Sequence, residues 1–264
     1  MPIKRFIAQV IAAAVCCPGA IAQTQKEIPE LAGIFKANGV AGTFVFYDLA
    51  TDTMVVSDGA RAQKRFTPAS TFKIPNALIG LDVRAVENVD AVLPYGGKPQ
   101  RFKQWEKDMN LRNAMKASNV PVFQELARRI GIGRMQQGVK NLGYGNMEIG
   151  TVIDRFWLDG PLAISAIEQT EFLHRLLTEQ LPLRFETLSA LKEITLLDKT
   201  DTYELHGKTG WIFDKTPQLG WFIGWVERDG VLYPFALNID MKGEADAPKR
   251  ISIARECLKA LRKL

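Results

Sequence analysis

The sequence predicts a two-lobed α+β fold, in which strands from both ends of the chain form one antiparallel sheet flanked by helices. Segments rich in β-forming residues occur within residues 42–56 and 203–239, whereas residues 81–181 have the pattern of helices and loops. The 264 residues, 47% of them hydrophobic, suffice for one large domain or two interleaved lobes. We therefore expect a mostly helical lobe, about 81–181, inserted between the sheet-forming ends, with a cleft where the lobes meet.

The first residues are typical of a secretory signal peptide. A short basic region is followed by an almost wholly apolar run at residues 6–15 and by a cleavage pattern at Ala20-Ile21-Ala22. We expect residues 1–22 to be a signal peptide and residues 23–264 to form the mature, secreted domain. Because the apolar run is too short to span a bilayer, no stable membrane insertion is expected.

Two strands and one helix are predicted in the N-terminal part of the chain. Residues 42–48 and 53–56 are rich in β-forming residues and are joined by a polar turn. Thr67 and Pro68 then predict the start of a helix, with Thr67 as its N-cap and Pro68 in its first turn. This helix is expected to continue through Leu78.

Hydrophobic spacing predicts the later elements. Apolar residues recur at helical spacing over residues 116–130 and 167–177, which are the clearest predicted helices. The later apolar segments predict three strands and a closing helix, at residues 203–208, 219–226, 232–239 and 247–264. Gly230 is expected in the turn of the last hairpin.

The composition argues against nucleic-acid binding and metal catalysis. The formal net charge is +5, or +3 after removal of Lys4 and Arg5, and the basic residues are scattered rather than clustered. His174 and His206 are the only histidines, and neither has a metal-binding spacing. Cys257 is the one cysteine of the predicted mature chain, and we expect it in the core. We therefore expect no nucleic-acid partner and no metal site.

A candidate nucleophile and base lie together in Pro68-Ala69-Ser70-Thr71-Phe72-Lys73. Residues three apart on a helix share a face, so the Ser70 hydroxyl can meet the Lys73 amine within one turn. A serine hydroxyl becomes an effective nucleophile when a neighbouring base takes its proton. The same S-x-x-K pattern recurs at Ser189-Ala190-Leu191-Lys192 in a polar, helical stretch. The pattern alone therefore does not identify a site.

Three further motifs follow Ser70, and each by itself has an ordinary structural interpretation. Ser118-Asn119-Val120 could be part of a helix, Tyr144-Gly145-Asn146 a turn, and Lys208-Thr209-Gly210 the end of a strand. All four motifs in this order, with S-x-x-K at a helix start and K-T-G on a strand, strongly indicate one catalytic site.

The order of these motifs resembles that of the serine β-lactamases and penicillin-binding proteins. The S-x-V and Y-G-N motifs, together with F-W-L-x-G-P-L at residues 156–162, make the chain most similar to the class D β-lactamases, the oxacillinases. The resemblance covers essentially the whole mature chain. It implies a β-lactamase/transpeptidase-like fold and a bacterial periplasmic enzyme that hydrolyses penicillins and confers resistance to β-lactams.

The resemblance implies roles for four catalytic residues. Ser70 would attack the β-lactam carbonyl and become acylated, and Ser118 would relay a proton to the β-lactam nitrogen. Lys73 would react with carbon dioxide or bicarbonate to become N6-carboxylysine, the general base for acylation and deacylation. Trp157 would donate its indole N–H to this anion, because a buried charge needs a hydrogen-bond donor. No other cofactor is implied.

Burial would prepare Lys73 for this role. An ordinary lysine has a pKa of about 10.4 and is protonated. Burial favours the neutral amine, and the apolar walls are expected from Phe72, Val120, Trp157 and Leu158.

The remaining site residues are expected to hold the substrate. The backbone N–H groups of Ser70 and Trp211 would form the oxyanion hole. The residues expected to contact substrate are Val120, Leu158, Lys208, Thr209, Gly210, Trp211 and Arg250. Among them, Lys208, Thr209 and Arg250 would bind the substrate carboxylate, for which a guanidinium is well suited. Tyr144 either lines the site or shapes its loop.

Two alternatives share the same motifs. A cell-wall transpeptidase or a penicillin-binding sensor domain would also be acylated but would not turn over. The substrate spectrum is expected to depend on the loops near Trp105 and after Trp211. Both a monomer and a homodimer are compatible with the sequence.

Overall fold

The structure, a computed structural model, describes residues 25–264. The predicted signal peptide and its cleavage site lie outside the described residues. In the part of the chain that is described, no helix is long and apolar enough to cross a membrane.

One mixed sheet forms the centre of the fold. Its strands are β1 (Gln25–Glu27), β2 (Gly42–Asp48), β3 (Thr53–Val56), β6 (Leu196–Lys199), β7 (Glu204–Ile212), β8 (Gln218–Arg228) and β9 (Val231–Met241). Their order is β1-β3-β2-β9-β8-β7-β6. Strands from both ends of the chain share this sheet, as predicted. The expectation of a purely antiparallel sheet is wrong at one edge, because the unpredicted strand β1 pairs in parallel with β3.

The middle of the chain is mostly helical, as predicted. The helices of the described chain are α1 (Pro29–Ala37), α2 (Gly59–Gln63), α3 (Lys73–Asp82), α4 (Leu111–Lys116), α5 (Val120–Ile130), α6 (Ile132–Leu142), α7 (Ala166–Leu177), α8 (Phe185–Thr195) and α9 (Lys249–Ala260). The short strands β4 (Val92–Leu93) and β5 (Met109–Asn110) pair with each other. Ser165 and Glu168 form a capping box that begins α7.

The predicted helix at residues 116–130 is divided in two. Helix α4 ends at Lys116, and α5 begins only at Val120. Asn119 caps α5, since its side-chain oxygen accepts from the Val122 N–H at 3.1 Å. Ser118 lies in the break with φ +52°, and the interpretation of Ser118 as part of a helix is therefore wrong.

The helix near Ser70 also begins differently from the prediction. A 3₁₀ turn spans Ala69–Phe72, and α3 follows directly. Thr67 does not cap this helix; Pro68 precedes the turn and no side chain caps it. The Thr67 carbonyl instead accepts the indole N–H of Trp221 at 3.1 Å. Thr67 therefore contacts the sheet and does not begin the helix as its N-cap.

The K-T-G motif lies within a strand rather than at its end. Strand β7 pairs with β8 from Glu204 to Ile212, so the predicted end at residue 208 is wrong. Lys208-Thr209-Gly210 continues the strand because β8 provides partners along its whole length. The β8–β9 hairpin turns at Asp229 and Gly230, both with positive φ, as a two-residue turn requires.

Two hydrophobic clusters cover the faces of the sheet. The cluster on one face includes Leu31 of α1, Phe235 of β9 and Cys257 of α9, and the burial of Cys257 confirms its expected place in the core. The other cluster continues into the helical region and includes Phe72 and Trp157. The 3₁₀ turn that carries Ser70 contacts β7 between the sheet and these helices.

Candidate active site

Ser70 and Lys73 form a direct pair. Lys73 begins α3, and its Nζ lies 2.8 Å from Oγ of Ser70. The lysine side chain is fully buried, with Nζ 5.4 Å from the ring centroid of Phe123 in α5. Ser70 is half-buried and lines a pocket. The second S-x-x-K lies in α8, where Ser189 is exposed and Lys192 pairs with Glu227 at 3.9 Å.

The environment of Lys73 favours an uncharged amine. Burial holds the pKa of Lys73 well below its usual value, and the positive charge of Lys208 lowers this pKa further. No carboxylate of the described residues pairs with Lys73 to oppose these effects. A neutral amine beside a serine hydroxyl can accept a proton or react with an electrophile.

Contacts from distant segments hold the turn that carries Ser70. Ala69 has φ +50°, a conformation unfavourable for a residue with a Cβ. Its N–H donates to the Trp157 carbonyl at 2.9 Å. Gly210 of β7 approaches from the other side, where an added Cβ would lie only 3.0 Å from the Pro68 carbonyl oxygen. The strained turn is therefore held by Trp157 and by the K-T-G strand.

A buried chain of hydrogen bonds also leads to this turn. The Tyr144 hydroxyl donates to Gln169 Oε1 at 3.0 Å, and Gln169 Nε2 donates to Thr71 Oγ1 at 2.9 Å. The Thr71 hydroxyl then donates to the Pro68 carbonyl at 2.7 Å. Burial raises the pKa of Tyr144 far above its usual range, so it remains a neutral donor. Tyr144 supports the turn and does not line the pocket beside Ser70.

A pocket of about 150 Å³ opens beside Ser70. It brings together eight predicted site residues, namely Ser70, Ser118, Val120, Leu158, Thr209, Gly210, Trp211 and Arg250. Lys73, Trp157 and Lys208 are buried behind its surface. Sequence analysis did not identify the lining residues Phe102, Gln104, Ala117 and Phe213. They belong to no recognisable motif and reach the pocket only through folding of their loops.

The loop around Trp105 is fixed to the Ser118 segment. The Trp105 indole N–H donates to the Ala117 carbonyl at 3.0 Å, and Asn119 Nδ2 donates to the Trp105 carbonyl at 3.2 Å. Asn119 is fully buried. These bonds flank Ser118 and hold it at the pocket in its left-handed conformation.

Trp157 packs directly against the turn. Its indole stacks on Phe72 with ring centroids 5.4 Å apart, and it is 1% exposed. Its carbonyl accepts the Ala69 N–H, as described above. The structure therefore places Trp157 next to the Ser70 turn, as expected for either a catalytic donor or a core aromatic residue.

Two cations meet at the other end of the pocket. The Lys208 ammonium donates to the Thr209 carbonyl at 2.9 Å, and burial with the nearby Arg250 charge lowers the pKa of Lys208 to about 7. Arg250 donates to the carbonyls of Gly210 and Ala247, both at 2.8 Å, and burial lowers its pKa to about 10. An anion bound here would offset the repulsion of Lys208 by Arg250 and favour the charged form of Lys208.

Gly220 makes the position of Arg250 possible. It lies on β8 opposite Trp211. A Cβ at Gly220 would come closest to Sδ of Met241, and it would lie 2.7 Å from Cδ and 2.8 Å from Cγ of Arg250. Sequence analysis did not identify Gly220, because nothing local shows that an arginine from α9 crosses this strand.

Gly220→Ala is expected to raise KM for a penicillin about tenfold with a smaller change in kcat, because a displaced Arg250 loses a charge-assisted contact to the substrate carboxylate. Steady-state kinetics would measure this, with Arg250→Ala as the reference for the same defect. Gly33→Ala is the matched control, since an added Cβ there has no neighbour within 4 Å. An unchanged KM in Gly220→Ala would show that Arg250 does not need this space.

Metal ligands are not clustered in the described chain. Within residues 25–264, no three His, Cys, Asp or Glu side chains are grouped so that they could hold a metal ion. His174 instead stacks on Tyr47, and His206 stacks on Trp225.

Comparisons with known proteins agree with the fold and the motifs. Residues 42–259 match the family model of the penicillin binding protein transpeptidase domain. The chain is 40% identical to β-lactamase OXA-10 of Pseudomonas aeruginosa, over 97% of each chain. It is 35% identical to β-lactamase OXA-48 of Klebsiella pneumoniae, over 98% of each chain.

Solved structures of class D β-lactamases superpose closely on this chain. The class D β-lactamase FUS-1 (OXA-85) of Fusobacterium nucleatum subsp. polymorphum superposes with a TM-score of 0.87 and 45% identity, covering 90% of this chain and all of that one. The class D enzyme YbXI of Nostoc superposes with a TM-score of 0.86 and 42% identity. The predicted fold class is thereby confirmed.

Proposed function

The chain belongs to the class D β-lactamases, which are hydrolases, and we propose that it is a secreted enzyme that hydrolyses penicillins through an acyl-enzyme on Ser70. The observation that carries this proposal is the 2.8 Å contact between Ser70 Oγ and the buried Lys73 Nζ, beside a pocket that ends in two cations. A nucleophile, a base and a carboxylate anchor are thus within reach of one small substrate.

In the proposed acylation step, Ser70 Oγ bonds to the β-lactam carbonyl carbon, and its proton passes to the base at Lys73. The backbone N–H groups of Ser70 and Trp211 stabilise the oxyanion. The C–N bond of the ring then breaks, and Ser118 passes a proton to the leaving nitrogen. The position of Ser118 on the pocket wall supports this role.

The surroundings of Lys73 fit N6-carboxylation. Only a neutral amine can attack carbon dioxide, and burial lowers the pKa of Lys73 and so favours its neutral form. The nearby Lys208 repels a protonated Lys73 but would attract an anion at the same place. When present, the carboxylate supplies an anionic base next to Ser70. The indole N–H of Trp157 is the proposed donor that holds this anion.

In the proposed deacylation step, a water molecule gives its proton to the same base and attacks the acyl carbon. The ester bond to Ser70 breaks, and Ser70 Oγ recovers a proton. This second use of the base distinguishes a β-lactamase from a protein that stays acylated.

The other pocket residues are proposed to orient the penicillin. Lys208, Thr209 and Arg250 bind its carboxylate, and Gly210 lets the strand edge approach its ring. Val120 and Leu158 form apolar walls of the pocket beside Ser70. We also propose that residues 1–22 direct the protein to the periplasm and that residues 23–264 act there as one catalytic domain, either as a monomer or as a homodimer.

The proposal is tested by a time course of benzylpenicillin hydrolysis with purified residues 23–264, followed by intact-protein mass spectrometry. We expect many turnovers per enzyme and little lasting adduct. Consumption of one equivalent, with a stable adduct on Ser70, would instead indicate a sensor domain or a cell-wall transpeptidase.

We expect activity to fall as the pH drops below neutral and bicarbonate to restore it. Carboxylation consumes the neutral amine and releases a proton, so acid drives Lys73 back to its free, protonated form. Because the pKa of Lys73 is lowered in the folded protein, this loss begins at lower pH than it would for an ordinary lysine. Measuring kcat/KM against pH in degassed buffer, with bicarbonate or equal chloride, checks this.

Carbon-13 NMR with labelled bicarbonate provides a readout besides activity. We expect a carbamate signal in the native protein and none in Lys73→Met. No bicarbonate effect at any pH, together with no carbamate signal, would contradict the proposed modification.

A further inference from the structure

Arg101 is exposed and contacts aromatic residues of the pocket, although it is not itself one of the lining residues. Its guanidinium carbon is 4.1 Å from the ring centroid of Phe213, 5.8 Å from that of Trp211 and 5.6 Å from that of Phe102. All three aromatic residues line the pocket beside Ser70. The cation is therefore held between the loop that precedes Trp105 and the end of the strand that carries the K-T-G motif.

The charge of Arg101 is not neutralised. Among residues 25–264, no carboxylate forms an ion pair with Arg101, although Asp214 directly follows Phe213. A guanidinium stacked on aromatic faces keeps its N–H donors at the edge available for an anion. Arg101 is thus a cation that packs on rings of the pocket and has no ion-pair partner among residues 25–264.

Arg101 and Arg250 lie near the same aromatic ring but differ in their contacts. The guanidinium carbon of Arg250 is 5.9 Å from the Trp211 ring centroid, and Arg250 is bonded to backbone carbonyls beside Lys208. Arg101 has no such bonds. We call Lys208 and Arg250 the inner cations, as distinct from Arg101, the outer one. Apart from Arg250, the pocket lining includes the apolar residues Trp105, Leu158 and Phe213.

We propose that Arg101 selects β-lactams that carry a second anionic group on the acyl side chain, such as the α-carboxypenicillins. The inner cations, Lys208 and Arg250, bind the carboxylate that every penicillin has. A side chain that extends along the apolar wall towards the rim brings its own carboxylate to Arg101. This inference rests on the proposed function, since it assumes that a penicillin occupies this pocket.

Two substrates that differ by one carboxylate test the proposal: benzylpenicillin and α-carboxybenzylpenicillin. We expect Arg101→Gln to lower kcat/KM for the α-carboxy compound about fivefold relative to benzylpenicillin, as for a partly exposed ion pair. Arg101→Lys should keep part of the preference. The effect should shrink at high ionic strength, which a purely structural role of Arg101 would not produce.

Lys103→Gln is the matched control. Lys103 lies in the same loop, its side chain is 90% exposed, and it pairs with Glu106 rather than with the pocket rings. Equal losses for both substrates in Arg101→Gln would indicate a role in loop structure and overturn the proposal. The same selective loss in Lys103→Gln would indicate general charge attraction and overturn it as well.

Failure of the proposed function is distinguishable from failure of this inference. If the wild-type protein is acylated by benzylpenicillin without turnover, the proposed hydrolysis fails. The same comparison is then made on acylation rates, measured by mass spectrometry for both compounds. A selective loss in Arg101→Gln would still support the side-chain preference, and an unchanged ratio would refute it.

Discussion

Lys73→Ala is expected to lower kcat/KM for benzylpenicillin by about three orders of magnitude, within the range for loss of a general base. Lys73 Nζ is the group beside Ser70 Oγ, at 2.8 Å, so no proton acceptor remains next to the hydroxyl. Both acylation and deacylation should slow, because the same base is proposed for both steps. Stopped-flow measurement of the acylation rate and steady-state kcat would check this.

The second S-x-x-K motif offers a matched control for Lys73. Lys192→Ala removes the lysine of the same four-residue pattern from α8, where it makes only a loose pair with Glu227. We expect unchanged kinetics in that variant. Lys73→Met keeps an apolar side chain of similar length, so it controls for the loss of packing that Lys73→Ala causes at the buried site. Retained turnover in a folded Lys73 variant would exclude the proposed base.

Trp157→Phe is expected to slow deacylation about a hundredfold and acylation much less. The substitution removes the indole N–H proposed to hold the anionic base, while the aromatic packing on Phe72 is largely kept. Deacylation suffers more because water is a weak nucleophile that depends fully on the base. Pre-steady-state kinetics should show a burst of acyl-enzyme that is absent in the wild type.

Phenylalanine is chosen as the replacement so that an effect on catalysis can be distinguished from an effect on folding. Trp157→Ala would remove a fully packed aromatic side chain, at a cost of about 3–5 kcal/mol in the free energy of unfolding. Trp225→Phe is the control, because Trp225 is also buried but its indole N–H has no hydrogen-bond partner among residues 25–264. Equal deacylation rates in Trp157→Phe and the wild type would assign Trp157 to the core alone.

Much of the fold was predictable because its signals are local. The strands Gly42–Asp48 and Thr53–Val56 begin and end as predicted, and Gly230 lies in the turn of its hairpin. The errors occur where distant contacts outweigh local preference. Thr67 does not cap its helix, and its carbonyl accepts from Trp221 of the sheet. Strand β7 continues past its predicted end because β8 pairs with it.

The residues of the candidate site also include some that the sequence alone could identify and some that it could not. Its motif residues were identified because their order along the chain is itself a signal. Gln169 and Gly220 were not identified from the sequence. The role of a buried glutamine in a helix, or of a glycine in a strand, becomes visible only when Thr71 and Arg250 are seen next to them. Arg101 is similar: its role depends on rings from two separate loops.

By itself, the sequence determined the sheet-forming ends, the helical middle, the class D family and the Ser70–Lys73 pair, because spacing along one turn brings those two side chains together. Only the tertiary structure decided the lowered pKa of Lys73, the left-handed conformation of Ser118 and the buried support from Tyr144. The physical reason is that a pKa and a strained backbone depend on surroundings in space. Phe123 and Lys208, which surround Lys73, are 50 and 135 residues further along the chain.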